Sequence, residues 1–116
     1  MKKRIARIYM RTAARVKGEL TFWQRLFQTD LSWYLVNKAK ESGIEQAIAQ
    51  RTTAGYLKGR KMAFDGVEVI PPDLPVCVEL IDTEEKIRNF LSTFKNQLDE
   101  CRVILIEGTV LNESRS

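Results

Sequence analysis

The segment LPVCVELID, residues 74–82, constrains the fold more than any other part of the chain. Its almost continuous apolar run, rich in β-branched side chains, is typical of a central strand that is buried on both faces. The residues that follow, DTEE at 82–85, predict a capping box in which Asp82 is the N-cap of a helix. That helix carries apolar residues at helical spacing, namely Ile87, Phe90, Leu91, Phe94 and Leu98. CRVILIE, from Cys101 to Glu107, then predicts a further strand, so this half of the chain is strand, helix, strand.

The first half of the chain shows the same order of elements. Apolar and polar residues alternate over Arg4–Met10, which predicts a strand with one buried face. TFWQRL, from residue 21, has the aromatic spacing of a short helix, and a second helix is predicted over 31–42, with Asp30 as its N-cap and Gly43 at the left-handed position after its end. IEQAIAQ, residues 44–50, is predicted to be a strand because the preceding glycine starts a new element.

Two such halves predict an α+β fold, the ferredoxin-like βαββαβ sandwich, in which a four-stranded antiparallel sheet carries both main helices on one face. We expect a single domain over residues 1–116, with a polar tail from about residue 109. The helix-free face of the sheet receives apolar residues from Val76 and Val78 or from Ile104 and Ile106, depending on the register. We therefore expect another subunit to cover this face.

The segment RTTAGYLKGRKMAFDG, residues 51–66, lies between the two halves and combines glycines, cations and aromatics. Asp65-Gly66 stands between the alternating stretches KMAF and VEVI, which predicts a hairpin with a type I′ turn within residues 60–70. Pro71 and Pro72 then end the ladder, since proline has no N–H to donate. The segment is not a phosphate-binding P-loop, because Gly55 and Gly59 are one residue too close and no hydroxyl follows Lys61.

Composition excludes several classes of function. The chain has no histidine and two cysteines 24 residues apart, so neither a metal site nor a histidine relay is expected, and both thiols are predicted to be reduced and buried. No apolar run is long enough to insert into a membrane, and the arginine-interrupted start lacks the apolar core of a signal peptide, which predicts a cytoplasmic protein. The predicted central strand has no aromatic residue on which a base could stack, so neither RNA nor DNA is an expected partner. No candidate nucleophile and base occur together, so an enzyme is not expected.

Charge is distributed unevenly along the chain. Residues 1–61 hold 14 Lys/Arg against 4 Asp/Glu, whereas residues 62–116 hold 5 against 11. The basic half could attract an anionic ligand or nucleic acid, or contact the acidic half of another copy. A mixed, solvated surface after folding is an equally good explanation of the same numbers.

Five stretches together resemble a known family: RIYM, AKESGIEQAI, TAGYLKGRK, LPVCVELID and CRVILIEG. Over roughly residues 4–108 the chain resembles the PII-like, CutA-like trimeric signalling proteins, and within them a bacterial branch of unassigned function. The resemblance implies a homotrimer whose sheets pack around a threefold axis, with adenine nucleotides bound between subunits. It also implies that the long loop between the second and third strands, Thr52–Asp73 here, contacts a transporter or an enzyme. The chain departs from the nucleotide-binding members at NQLDEC, which is acidic where they have a glycine- and lysine-rich loop.

Two hypotheses follow for the function. In the first, the chain is a non-enzymatic trimeric regulator that requires no cofactor and binds a small anionic effector, by analogy an adenine nucleotide, while the 52–73 loop contacts a partner. The residues predicted to bind this effector are Arg7, Arg11, Arg51, Thr52, Thr53, Gly55, Tyr56, Lys58, Gly59, Arg60 and Lys61. In the second, the chain is a structural or interaction oligomer without a small-molecule ligand, and the loop hairpin locks the trimer.

Overall fold

A computed structural model describes residues 1–18, 30–66 and 70–114 of the chain. In chain order, the elements are β1 (Lys2–Arg11), α1 (Leu31–Glu41), β2 (Gln46–Arg51), β3 (Ala54–Gly55), β4 (Ala63–Phe64), β5 (Pro75–Asp82), α2 (Glu84–Thr93), a 3₁₀ helix (Lys95–Leu98) and β6 (Arg102–Thr109). The helix predicted from TFWQRL lies outside the described residues.

The main sheet has four strands in the order β2-β5-β1-β6, and every neighbouring pair is antiparallel. Ile8 in the central strand β1 stands opposite Val78 of β5 on one side and Val103 of β6 on the other. The two strand–helix–strand halves are thus interleaved, which confirms the predicted ferredoxin-like sandwich. Ala54–Gly55 and Ala63–Phe64 form a separate two-stranded ladder.

Both helices pack on the same face of the sheet. Alternate residues of β1 and β5 point into this layer and are buried, including Ile8, Val78 and Leu80 at 0% exposure. They form one core with Leu35 of α1 and Ile87 of α2, which are also fully buried. The apolar spacing that predicted the two helices therefore corresponds to their core-facing sides.

The structure confirms both predicted ends of α1 and corrects the start of α2. Asp30 caps α1, accepting a hydrogen bond of 2.9 Å from Ser32 N–H, and Gly43 after its end has φ +78°. The N-cap of α2 is Thr83, whose side chain accepts from Lys86 N–H, so the predicted capping box on Asp82 is wrong. Asp82 is instead the last residue of β5 and is buried, because its carboxylate accepts hydrogen bonds from Glu45 N–H and Thr83 N–H.

The helix-free face of the sheet, which we call the outer face, mixes aliphatic and charged residues. Its rows follow from the register: Ile81, Ile5 and Ile106 stand side by side across β5, β1 and β6. In the next row Glu79 and Arg7 are paired at 3.3 Å. Within a single chain β5 is buried on its helix side and partly exposed on the other, so its burial on both faces stays a prediction.

The outer face resolves the register left open by the sequence. Val76 and Val78 point towards the helices, whereas Ile104 belongs to the outer face and is 38% exposed. Ile104 stands opposite Arg7, and Ile106 stands opposite Ile5. Coverage of this face by another subunit stays a prediction.

The hairpin in the described residues differs from the predicted one. Ala63–Phe64 pair with Ala54–Gly55, and Asp65 N–H donates to Thr53 O at 2.7 Å. The tip of this hairpin is therefore the stretch 56–62, not Asp65-Gly66. The second strand of the predicted hairpin, at 67–69, lies outside the described residues.

Candidate functional site

A cavity of about 300 Å³ lies where three distant parts of the chain meet. The end of β1 and the residues that follow it form one wall, and the hairpin tip at 56–60 forms a second. The third wall comes from the 3₁₀ helix and the beginning of β6. Because the three walls come from parts of the chain that are far apart in sequence, the cavity forms only when the chain folds.

The lining of the cavity is strongly basic. Among the lining residues that the structure describes, one carboxylate, that of Glu100, stands among the cations of Arg11, Arg15, Lys17, Lys58, Arg60 and Arg102. Within the described ranges, Lys58, Arg60 and Arg102 take part in no ion pair. Guanidinium and ammonium groups gathered around a concave surface raise the local concentration of anions and donate charge-assisted hydrogen bonds to them. The cavity is therefore suited to an anionic ligand.

A tight turn presents the hairpin tip to the cavity. Arg60 N–H donates to Leu57 O at 2.9 Å, which closes a four-residue turn over 57–60. Gly59 is the third residue of this turn and has φ +77°. A type II turn needs positive φ at this position, where a side chain would be strained. Gly59 thus sets the turn that brings Lys58 and Arg60 to the cavity wall.

Two reciprocal hydrogen bonds hold the opposite wall. Lys17 N–H donates to Gln97 Oε1 at 2.7 Å, and Gln97 Nε2 donates to Lys17 O at 2.8 Å. The guanidinium of Arg15 donates to the carbonyls of Thr12 and Ala14, both at 3.0 Å. These contacts give the loop after β1 a defined path beside the 3₁₀ helix, so Arg15 and Lys17 reach the cavity from fixed backbone positions.

Arg11 connects the cavity with the base of the 52–73 loop. Its Nη1 lies 3.4 Å from Oδ1 of Asp73, the last residue of that loop. Beside this ion pair, Thr12 N–H and Thr12 Oγ1 donate to Leu74 O at 2.8 and 2.7 Å. Ala13 N–H donates to Pro72 O at 3.1 Å. The end of β1 therefore holds the returning end of the loop through backbone bonds and one side-chain pair.

The structure brings together four of the predicted effector-binding residues: Arg11, Tyr56, Lys58 and Arg60 all line the cavity. Gly59 shapes the turn between them without lining the cavity. These residues come from two stretches that the sequence already grouped by charge and glycine content.

The other predicted residues lie elsewhere. Arg7 is on the outer face beside Glu79, where hydrogen bonds to Tyr9 and then Glu79 raise the pKa of its guanidinium. Arg51 ends β2, and Thr52 Oγ1 donates to Pro75 O at 2.8 Å, so this end of the loop is anchored as well. Thr53 and Gly55 belong to the start of the hairpin.

Lys61 lies in a second cavity, of about 350 Å³. Its lining is largely apolar and comes from the far side of the hairpin and from the two prolines: Met62, Ala63, Phe64, Gly66, Pro71, Pro72 and Asp73. The hairpin thus separates a basic cavity from an apolar one.

Several residues that line the basic cavity were not among the predicted effector-binding residues, including the hydrogen-bond donors Arg15, Lys17, Gln97 and Arg102. A signal for the first two was present, since the loop after β1 is basic. Gln97 carried none, because its position depends on hydrogen bonds with Lys17, 80 positions away.

Neither thiol is activated. Burial raises the pKa of Cys101 to about 11, although this residue lines the basic cavity, and burial also raises the pKa of Cys77. Both cysteines are free. In residues 1–18, 30–66 and 70–114, no group of side chains has the composition of a metal site, and neither helix is long or apolar enough to span a bilayer.

Solved structures of similar fold include PII-like proteins. CPII, a nitrogen regulatory PII-like protein from Thiomonas intermedia K12 bound to ADP, AMP and bicarbonate, superposes with a TM-score of 0.54 at 11% identity, covering 93% of this chain and 85% of that one. A putative PII-like signaling protein from Thermus thermophilus gives a TM-score of 0.52 at 15% identity, covering 92% and 85%. At these identities the similarity shows a shared fold.

Sequence comparison identifies the family. Two UPF0166 proteins of Aquifex aeolicus (strain VF5) are 40% identical over 65 residues and 42% identical over 64 residues. These alignments cover 53% and 55% of this chain, and 68% and 61% of the two relatives. The DUF190 family, described as "Uncharacterized ACR, COG1993", matches residues 4–110. The chain therefore belongs to the DUF190 family, and its fold is that of PII-like proteins.

Proposed function

We propose that this chain is a cytoplasmic, non-enzymatic PII-like regulator that binds a small anion, by analogy an adenine nucleotide, in the basic cavity. The 52–73 loop contacts a partner protein, a transporter or an enzyme. The observation that carries the proposal is the cavity itself, of about 300 Å³, where six cations and one carboxylate line the walls among the described residues. The loop that would report on the ligand supplies part of the cavity wall.

The cavity chemistry supports a phosphate-bearing ligand. Arginine recognises phosphate oxygens through parallel N–H donors, and three arginines of different segments, Arg11, Arg60 and Arg102, converge here. Tyr9 and Tyr56 add aromatic surface at the same site. About 300 Å³ is at the lower end of the volume of small-molecule sites. CPII, which shares the fold, has been solved with ADP, AMP and bicarbonate, and this chemistry is the basis of the analogy.

The proposed assembly is a homotrimer with the effector at a subunit boundary. Tyr9, Arg102 and Ile104 belong to the outer face and also line the cavity. A subunit that covers the outer face would therefore border the cavity and enclose its open side. Ile48 and Ile104, which are 40% and 38% exposed on this face, would be removed from water by the same contact.

Isothermal titration calorimetry with ATP, ADP, AMP and cyclic AMP tests the proposal. We expect binding of at least one nucleotide and an affinity about tenfold lower for Arg60→Gln, since a hydrogen bond to a charged group contributes about 1.5–3 kcal/mol. Lys40→Gln is the matched control, because it removes one exposed cation of α1 that does not line the cavity. Absence of heat with all four nucleotides at millimolar concentration would refute nucleotide binding.

The second candidate, a structural oligomer locked by the hairpin, is favoured by one observation. Tyr56, Met62 and Phe64 of the hairpin are 68%, 62% and 68% exposed, which is apolar surface suited to a protein contact. Deletion of residues 57–69 separates the candidates. A locking hairpin predicts that the trimer dissociates, whereas a regulatory loop predicts an intact trimer that no longer binds its partner.

A further inference from the structure

We propose that Asp73 competes with the effector for Arg11, so that anion binding in the basic cavity weakens the attachment of the loop base at 71–74. This inference rests on the proposed function and specifies how its site would communicate with the loop. The Arg11–Asp73 ion pair is the contact through which the two are linked.

Arg11 lies between the basic cavity and the carboxylate of Asp73. Its side chain lines the basic cavity, while its Nη1 lies 3.4 Å from Asp73 Oδ1. Asp73 itself lines the second, apolar cavity on the other side of the hairpin. The Arg11 and Asp73 side chains are 32% and 18% exposed, so solvent screens this pair less than it would a fully exposed one. Within the described part of the chain, Arg11 is the cavity-lining cation that forms an ion pair with an acidic residue of the loop.

The competition follows from the charges. A guanidinium that turns towards a phosphate in the cavity gives up part of its interaction with the carboxylate on its other side. Asp73 then loses its charged partner, and the loop base is held by the hydrogen bonds that Thr12 and Ala13 donate to the carbonyls of Leu74 and Pro72. By thermodynamic linkage, the free energy by which the bound anion weakens the ion pair equals the free energy by which the ion pair weakens anion binding.

Removing the competing charge should therefore strengthen anion binding. With ADP and with inorganic pyrophosphate as probes in calorimetry, we expect Asp73→Asn to bind roughly two- to fivefold more tightly than the wild type, the range of a partly exposed ion pair. Asp65→Asn is the matched control, because it removes an equal charge from an exposed loop residue that forms no ion pair with the described residues. Asp73→Glu keeps the charge and should stay close to the wild type.

Two further measurements separate competition from a general effect on folding. In the Arg11→Gln background, Asp73→Asn should leave the affinity unchanged, because the pair has already been removed. Hydrogen exchange should show that saturating ADP accelerates exchange of the Leu74 and Thr12 amides in the wild type, and that Asp73→Asn has this faster exchange without ADP.

The outcomes distinguish this inference from the proposed function. If the wild type binds none of the four nucleotides and no pyrophosphate, the proposed function fails and the inference fails with it. If the wild type binds and Asp73→Asn changes the affinity no more than Asp65→Asn does, the inference alone is overturned. An equal gain for Asp73→Asn in the Arg11→Gln background would also overturn it, because the gain would then be independent of Arg11.

Discussion

The carboxylate of Asp82 joins three elements of the sandwich, and its removal should be among the costliest polar substitutions in the chain. Asp82 is 3% exposed at the end of β5. Its Oδ2 accepts from Glu45 N–H at 2.8 Å, just before β2, and its Oδ1 accepts from Thr83 N–H at 2.6 Å, at the start of α2. Lys86 Nζ lies 3.7 Å from the same carboxylate.

Asp82→Ala leaves both N–H groups without their acceptor. An unsatisfied buried donor costs about 1–3 kcal/mol, and two such donors set an upper range of about 2–6 kcal/mol. Water that enters the vacated space will satisfy part of this demand, so we expect a loss of about 3 kcal/mol in the free energy of unfolding. Asp82→Asn keeps one acceptor oxygen and should lose about half as much.

Urea denaturation followed by far-ultraviolet circular dichroism measures these differences, at one protein concentration because assembly would add to the apparent stability. Glu85→Ala is the control: it also removes one carboxylate from the first turn of α2, but Glu85 is exposed and forms no ion pair with the described residues. We expect it to cost at most about 1 kcal/mol, the value of a charge beside a helix end. The reasoning is refuted if Asp82→Ala is no more destabilising than Glu85→Ala.

The same carboxylate predicts the pH dependence of the difference. Burial by itself raises the pKa of Asp82, but the backbone hydrogen bonds from Thr83 and Glu45, with the nearby charges of Lys86 and Lys3, lower it below its ordinary value of 3.8. A group whose folded pKa is depressed contributes stability above its unfolded pKa and loses it as the pH falls through the folded value. The difference between wild type and Asp82→Ala should thus be constant over pH 5–8 and shrink below about pH 4.

Three further predictions concern the core, a thiol and the outer face. Ile87→Ala, at a fully buried position of α2, should cost about 2–5 kcal/mol in urea denaturation, and a loss under 1 kcal/mol would contradict its place in the core. In a Cys77→Ser background, Cys101 should react with a thiol reagent at pH 8 about 100-fold more slowly than a thiol of ordinary pKa. A pKa of about 11 instead of 9.0 lowers the thiolate fraction by that factor. Equal rates in the folded and the urea-unfolded protein would contradict this. Ile104→Asp should lower the mass found by sedimentation equilibrium if the outer face joins subunits, whereas Leu111→Asp, at 93% exposure, should leave it unchanged.

Periodicity predicted most of the fold because both halves of the chain repeat the same pattern. The alternation in Arg4–Met10 and the apolar run in 74–81 define the two central strands, and the apolar spacing from Ile87 to Leu98 defines the helical segment of the second half. Each pattern arises because one side of the strand or helix faces the core, so the local sequence was sufficient to predict these elements.

Competing partners explain why the N-cap predicted for α2 was wrong and why Ala63–Phe64 have a partner that was not predicted. Asp82 and Thr83 are both good N-cap residues, and the choice between them depends on Glu45, whose N–H donates to Asp82 across 37 positions of sequence. Similarly, Ala63–Phe64 pair with Ala54–Gly55 in an arrangement that the turn propensity of Asp65-Gly66 could not indicate. In both places a contact beyond the immediate sequence neighbours determines the local structure.

The sequence also predicted one part of the candidate site and missed another. Charge and glycine content in 51–61 pointed to the hairpin tip, and the basic character of the first half added Arg11. The wall formed by Lys17 and Gln97 was not predicted, because two hydrogen bonds between these residues, and no sequence motif, hold it together. Sequence thus indicated which residues could bind an anion, while tertiary contacts decided which of them meet.

The position of β1 at the centre of the sheet has a consequence for the growing polypeptide on the ribosome. β1 is made first, yet its two neighbours are β5 and β6, which begin at Pro75 and Arg102. At about 5–20 residues per second, the first strand waits several seconds for its partners. Its arginines, which alternate with the apolar residues, keep the waiting strand charged and discourage pairing with a neighbouring nascent chain. The basic cavity is lined by residues up to Ile104, so it is among the last features that translation completes.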